Sequence, residues 1–172
     1  MGELSQSEKK TALEELMDRF GQDVWNFAFT LTRNVEMAND ISQDVFVRAY
    51  EKLDEFRGES SIKTWLLKIT RNRVIDTRRS AFFRKVSPVE FVSPNETHPS
   101  AERVALDRIS SEEIWNIVLS LPIKFREVLL LHSFQHLSIR EISETLEIPD
   151  GTVKSRLRTA RQKVLRVLKE GE

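Results

Sequence analysis

Leu137-Ser-Ile-Arg-Glu-Ile-Ser-Glu-Thr-Leu-Glu-Ile-Pro-Asp-Gly-Thr-Val-Lys-Ser-Arg-Leu-Arg-Thr-Ala-Arg161 is the stretch whose reading decides the fold. Ser138, followed three residues on by Glu141, is a capping box that starts a short helix over Ile139–Leu146. Pro149 breaks the chain within Glu147–Asp150, and Gly151–Lys169 resumes as a second helix. Between Thr152 and Lys169 there are seven basic residues and no acid. A short helix, a turn and a basic helix make a helix-turn-helix, whose second helix lies in the DNA major groove. Val153, Leu157, Ala160, Val164 and Leu168 form one apolar stripe that docks on Ile139, Ile142 and Leu146. The opposite face presents Lys154, Ser155, Arg158, Thr159 and Gln162. These side chains suit base edges: Arg or Lys to guanine, Gln to adenine, Ser or Thr to either. Arg156 and Arg161, nearer the rim, are expected to clamp phosphates, aided by the N–H groups of Gly151 and Thr152. The plain alternative is an αα-hairpin with a solvated basic face, against which the acid-free run counts.

Working outward, the domain opens near Ser110 with Ile114, Trp115, Ile117, Val118, Leu119 and Leu121. Pro122 starts a helix containing Phe125 and Val128 to Leu131, since proline is tolerated in a first turn. Upstream, 80–107 holds three of the five prolines (Pro88, Pro94, Pro99), several serines, and four acidic residues against three basic ones. It reads as a flexible linker with a mean span of roughly 30 Å, enough to place two domains on separate DNA segments. Leu13–Thr32 and Val35–Phe56 repeat apolar residues at helical spacing, and Ile62–Arg79 is a third, basic helix. Gly58 is the expected helix stop and Ser60 or Ser61 the next cap. No stretch alternates at period two. The fold class is therefore all-α: two small helical domains, a bundle over 1–79 and a helix-turn-helix domain over 110–172, joined by a flexible acidic linker over 80–109.

The charge is patterned accordingly. The whole chain is neutral, with 27 basic and 27 acidic residues. Met1–Glu59 has seven basic and thirteen acidic residues, a net of −6, whereas Ser60–Lys85 has eight and one, a net of +7. Thr152–Lys169 is again +7. Two basic blocks separated by acidic chain point to two polyanion-binding surfaces. With 40% hydrophobic residues and only five Gly among 172, the chain is neither disordered nor fibrous. No apolar run approaches the ~20 residues that span a bilayer, and Met1–Lys10 is too polar for a signal peptide. Cysteine is absent, which excludes disulfides and thiol chemistry and fits a reducing cytoplasm. His132 and His136 stand at i, i+4, but neither they nor His98 has a companion ligand in a recognisable arrangement. No phosphate-binding glycine loop or nucleophile elbow appears, so the chain is not read as an enzyme. From the residues alone, a free-standing helix-turn-helix regulator remains open.

The 137–161 segment resembles the −35-reading domain of bacterial sigma factors, and Gly151-Thr-Val-Lys-Ser-Arg156 with Ala160-Arg161 is similar to the extracytoplasmic-function (ECF) group. The first half carries the matching motifs in the family's order. Ala38-Asn-Asp-Ile-Ser-Gln-Asp-Val-Phe46 resembles the helix that docks on the clamp helices of the polymerase β′ subunit. Phe56-Arg-Gly-Glu-Ser-Ser61, Thr64-Trp-Leu66, Ile69-Thr-Arg-Asn72, Asp76 and Arg78-Arg79 resemble the loop and helix that open and read the −10 element. Asn39 and Asp44 stand where glutamate is usual, and Pro149-Asp150 vary a variable turn.

The resemblance implies a partner set and a division of residues. Core RNA polymerase is contacted through Asp40, Gln43, Asp44 and Phe46 at the β′ clamp helices, with the β flap as a further docking partner. Promoter DNA is met as −35 duplex by the second helix and as a melted −10 single strand by Phe56, Arg57, Gly58, Ser60, Ser61 and Lys63, with Asn72, Arg73, Asp76, Arg78 and Arg79 tracking the duplex edge. Asp40, Gln43 and Asp44 share one helix side at i, i+3, i+4, a polar stripe suited to a basic partner. Phe46 is expected to be partly core, and Trp65 core rather than a stacking platform. The acidic linker is implied to run near the RNA path of the polymerase. No cofactor or metal is implied. Location is cytoplasmic, with retention at the membrane possible only through an anti-sigma factor, the regulator the resemblance implies. With no further domain after Glu172, that regulator is expected to act from outside.

Overall fold

The computed structural model describes residues 5–83 and 108–170, and every regular element among them is helical. The linker's core and His98 lie outside the described residues. Helix α1 spans Gln6–Thr32, α2 Val35–Lys52 and α3 Ile62–Phe83; then come α4 (Arg108–Ser120), α5 (Ile123–Leu129), α6 (Ile139–Leu146) and α7 (Asp150–Glu170).

Local chemistry sets each boundary. Ser5 and Glu8 form a reciprocal capping box, which starts α1 about two turns before its apolar repeat begins at Leu13. Arg33 closes α1 in the left-handed region at φ 55, its N–H bonded to the Phe29 carbonyl at 2.7 Å. Asn34 caps α2 through a 2.8 Å bond from the Met37 N–H. A short 3₁₀ turn over Leu53–Glu55 leads to Gly58, whose φ of +70 suits glycine. The Ser61 hydroxyl then accepts the Thr64 N–H at 3.0 Å, so Ser61 and not Ser60 caps α3. That helix continues past Arg79 to Phe83, absorbing residues expected to begin the linker.

Helices α1 to α3 enclose Phe20, Val24, Phe27, Leu31, Ile41, Val45, Leu66, Leu67 and Val74. Phe27, Val24 and Leu66 are wholly buried, each such side chain stabilising the fold by about 1.5–3 kcal/mol. In the second half Val128, Leu131, Ile142, Leu146, Val153, Leu157 and Ala160 form the core. Pro122 stands at the N-cap of α5, one residue before the first turn in which it was expected. The apolar run 128–131 does not stay α-helical: Leu130–Phe134 adopts a wider π turn, and His136 ends it in the left-handed region at φ 57. The two cores are not separate. α3 packs on α6 and α1 on α5, and the buried residues of both halves form one continuous cluster.

Candidate nucleic-acid interface

The helix-turn-helix is built as its sequence dictates. The Ser138 hydroxyl accepts the Glu141 N–H at 3.2 Å, and Glu141 returns a carboxylate to the Ser138 N–H at 2.8 Å. These bonds hold the Glu141 carboxyl below the ordinary carboxylate value. Glu147 ends α6 in the left-handed region, and the Pro149 carbonyl accepts from Thr152 and Val153 as α7 starts. Val153, Leu157 and Ala160 are buried, while Val164 is partly so. That pins the rotation of α7. Lys154, Ser155, Arg158, Arg161 and Gln162 are exposed and Thr159 is half-buried at the edge. At Gly151, nothing lies within 4 Å of where a Cβ would stand, so the helix start is open to an incoming phosphate.

Arg156 departs from its expected place at the phosphate rim. It lies at i+3 from Val153 and i−4 from Ala160, on the buried side, and its Nη1 donates to Glu127 Oε1 at 3.2 Å. Arg161 is exposed but within 3.2 Å of the His132 ring nitrogen. His132 thus faces α7 and His136 has left the helical path, so the i, i+4 spacing makes no common face. Among the described residues no three His, Asp or Glu side chains cluster to hold a metal ion.

The expected −10 set divides in two. Arg57, Gly58, Asn72, Asp76 and Arg79 are exposed around the glycine turn and along α3, and Ser60 is half-buried. Phe56 packs on Trp65 with ring centroids 5.1 Å apart, so Trp65 is partly core. The others are engaged. Lys63 donates to the Gln135 carbonyl at 3.0 Å and pairs with Asp23 at 3.2 Å. Arg73 ion-pairs with Asp44, and Arg78 donates to the Leu31 carbonyl. On α2, Asp40 and Gln43 are exposed, Asp44 is drawn toward α3, and Phe46 is core at 6% exposure. Asn39, the departure from glutamate, accepts the Trp25 indole N–H at 2.7 Å and so ties α2 to α1. Beside this stripe, Leu13, Met17, Phe46, Val47 and Tyr50 line a shallow apolar groove in which Met17 and Val47 are about half exposed.

Sequence reasoning missed the residues that join the two halves. Arg126 Nη1 donates to the Thr30 carbonyl at 3.0 Å, and burial, aided by Arg33 and Arg78, pushes its guanidinium down to about 10. Glu127, its neighbour, meets Arg71 at 3.4 Å and Arg156 at 3.2 Å; burial raises its carboxyl above the ordinary value, and the arginines oppose that rise. The available signal was the pair itself. Two charges inside Phe125-Arg-Glu-Val-Leu-Leu-Leu131 can be buried only if each finds a partner.

Comparison with known proteins places both halves. The family profile described as Sigma-70 region 2 matches residues 16–82, and that described as Sigma-70, region 4, matches 111–164. RNA polymerase sigma factor YlaC of Bacillus subtilis is 33% identical over 155 residues, covering 88% of this chain and 89% of the relative. ECF RNA polymerase sigma factor SigW of the same organism is 30% identical, covering 92% and 90%. ECF RNA polymerase sigma factor SigL of Mycobacterium tuberculosis is 32% identical, covering 86% and 84%. Among solved structures, the sigma factor RpoE in complex with the anti-sigma factor NepR from Bartonella quintana superposes with a TM-score of 0.75 at 25% identity, over 92% of this chain and 97% of that one. CnrH in complex with the cytosolic domain of CnrY shares the fold, with a TM-score of 0.66 at 24% identity over 95% and 91%.

Proposed function

The chain belongs to the sigma-70 family, in its extracytoplasmic-function group, and from that premise we propose how its surfaces divide the work of promoter-specific initiation. A sigma factor binds core RNA polymerase and directs it to promoters; the polymerase performs the chemistry, and this chain supplies recognition. The first domain, expected over 1–79, extends with α3 to Phe83 and serves polymerase docking and the −10 element; the −35 domain begins with α4 at Arg108, and the linker is the chain between.

The observation that carries the assignment is the rotation of α7. Its buried stripe leaves Lys154, Ser155 and Arg158 turned outward, with Thr159 beside them, on a helix docked through Val153, Leu157 and Ala160. These four meet base edges in the −35 duplex, with Gln162 reaching further along the groove. Arg161 and the Gly151 amide hold phosphates; the Thr152 N–H, expected beside them, is instead spent on the Pro149 carbonyl at 2.9 Å. Arg57, Gly58, Ser60, Ser61 and Lys63 follow the melted −10 strand, and Phe56 with Trp65 stiffens that loop from behind. Asn72, Asp76 and Arg79 follow the duplex edge, joined by Arg73 and Arg78 when they exchange their protein partners for phosphates. Asp40, Gln43 and Asp44 meet the β′ clamp helices while Phe46 supports them from the core; the β flap engages the −35 domain.

No described helix is long and apolar enough to cross a membrane. A cytoplasmic location fits the cysteine-free composition. An anti-sigma factor is the proposed regulator, supported by the likeness to a sigma factor solved with one. Co-elution with core polymerase tests the docking assignment. A 1:1 complex that protects both a −35 and a −10 segment of promoter DNA is expected. Tight binding to an inverted repeat without polymerase would instead identify a free-standing regulator.

A further inference from the structure

Two of the arginines on α7 are spent on carboxylates: Arg156 meets Glu127 at 3.2 Å and Arg166 meets Glu170 at 2.8 Å. Arg161 is held differently. Its Nη2 donates to the ring nitrogen Nδ1 of His132 at 3.2 Å, across 29 residues of chain. A guanidinium can only donate, so Nδ1 is the unprotonated nitrogen and the imidazole is neutral, with its proton on Nε2. The bond lies wholly within the C-terminal domain, between the turn that precedes the helix-turn-helix and the helix assigned to the groove.

The backbone fixes where His132 stands. It lies inside the π turn, between the wholly buried Leu131 and the exposed Ser133. The Gln135 N–H bonds to the Leu130 carbonyl at 2.9 Å, and the Leu137 N–H to the Leu131 carbonyl at 2.9 Å. Both peptide units before His132 are therefore pinned. A π turn holds more residues than an α turn, so His132 leaves the face that a continued α5 would give it; turns of this kind recur at functional positions.

The charge of the tether decides what it can do. A carboxylate would order Arg161 equally well but would cancel the charge a phosphate needs, as Glu127 does for Arg156. A neutral imidazole orders the side chain and leaves the positive charge whole, with further N–H groups still to offer. An arginine ordered beforehand also has less rotamer freedom to lose when it meets its ligand. Resting on the assignment of Arg161 to DNA phosphate above, we propose that His132 is a positioning residue for the −35 duplex. It presents the Arg161 guanidinium to the phosphate backbone without neutralising it.

The test compares four variants of the full chain with the wild type. His132→Leu keeps the bulk and loses the acceptor, and His132→Asn brings a side-chain oxygen to the place of Nδ1. Arg161→Ala removes the guanidinium, and a double variant combines His132→Leu with Arg161→Ala. Anisotropy of a labelled random-sequence duplex of about 20 base pairs, two helical turns, reads binding over a salt series. Circular dichroism and melting temperature check folding. His132→Leu is expected to weaken binding about fivefold, the scale of one hydrogen bond. Its salt slope stays at the wild-type value, because the charge on Arg161 remains. His132→Asn is expected to bind as the wild type does. The double variant is expected to bind no more weakly than Arg161→Ala, since nothing is left to position. A loss in His132→Leu that persists without Arg161, or that His132→Asn does not restore, would overturn the proposal. So would wild-type binding by His132→Leu. If His132→Leu does not fold, His132→Ala carries the same comparison. Wild-type binding by Arg161→Ala would remove the phosphate assignment and the tether with it. A loss in Arg161→Ala with none in His132→Leu removes the tether alone.

Discussion

The carboxylate of Asp44 on α2 is ion-paired with the guanidinium of Arg73 on α3. One residue belongs to the stripe assigned to polymerase and the other to the helix assigned to the −10 element. The pair therefore fixes the angle between two functional surfaces, and a change at either position perturbs both. Asp40, exposed one helical turn earlier, is the cleaner probe. Asp40→Arg should abolish co-elution with core polymerase while the circular dichroism spectrum and melting temperature stay unchanged. Undiminished co-elution would refute the docking assignment. Asp44→Ala, by contrast, should weaken both polymerase binding and −10 engagement.

Arg158 and Arg161 are three residues apart on α7 but should fail differently. Arg158→Ala should cost about 1–3 kcal/mol at the cognate −35 site and relax base preference at one position. Arg161→Ala should weaken all sequences alike and lower the salt slope of binding by about one. Competition binding with single-base variants of the −35 site separates the two. A base-specific defect at Arg161 would reverse their roles.

Ser138 is the N-cap on which the helix-turn-helix is built. Ser138→Ala should lower stability by about 0.5–2 kcal/mol, measured by urea unfolding, because the Glu141 N–H loses its acceptor. Ser138→Asp, which keeps an oxygen acceptor, should recover most of that loss.

The same cap gives a pH signature. Glu141 titrates below its ordinary value of 4.5 because the Ser138 backbone bond favours its ionised form. A depressed carboxylate contributes stability that is present in full above its unfolded value and is lost as pH falls through its folded value. Acid titration of the wild type should therefore show a loss of stability beginning below about pH 4.5. Substituting Glu141→Gln should flatten that limb. An identical acid limb in the variant would remove Glu141 from the account. Glu127 runs the other way. Its raised value means that its contribution is present at low pH and declines as pH rises through it, so it does not produce the acid loss.

Much of this was legible in the sequence, for physical reasons that can be named. The capping box, the acid-free helix and the apolar stripe of Val153, Leu157 and Ala160 are local features that specify local structure, and they placed Lys154 and Arg158 outward correctly. The Pro122 helix start and the Gly58 turn are likewise encoded within a few residues. What escaped was set at a distance. Arg156 was expected outward with its basic neighbours, yet it lies on the buried side of α7 because Glu127, 29 residues away, gives it a partner. Lys63 was placed on DNA because it stands beside the glycine turn; that it also donates to the Gln135 carbonyl, 72 residues on, is set by the packing of the two halves. The π turn at Leu130–Phe134 was hidden by an apolar run that reads as continuous helix. The extension of α3 to Phe83 was hidden because Ser80 and the proline- and serine-bearing chain beyond it read as the start of a linker.

Run-off transcription on fragmented genomic DNA from the source organism, with its core polymerase and with or without this protein, tests the central claim most directly. The account predicts discrete new start sites only when the protein is present, sharing upstream −35 and −10 sequences and lost with Arg158→Ala. An unchanged set of starts, with the protein shown to be folded and bound to core polymerase, would contradict it.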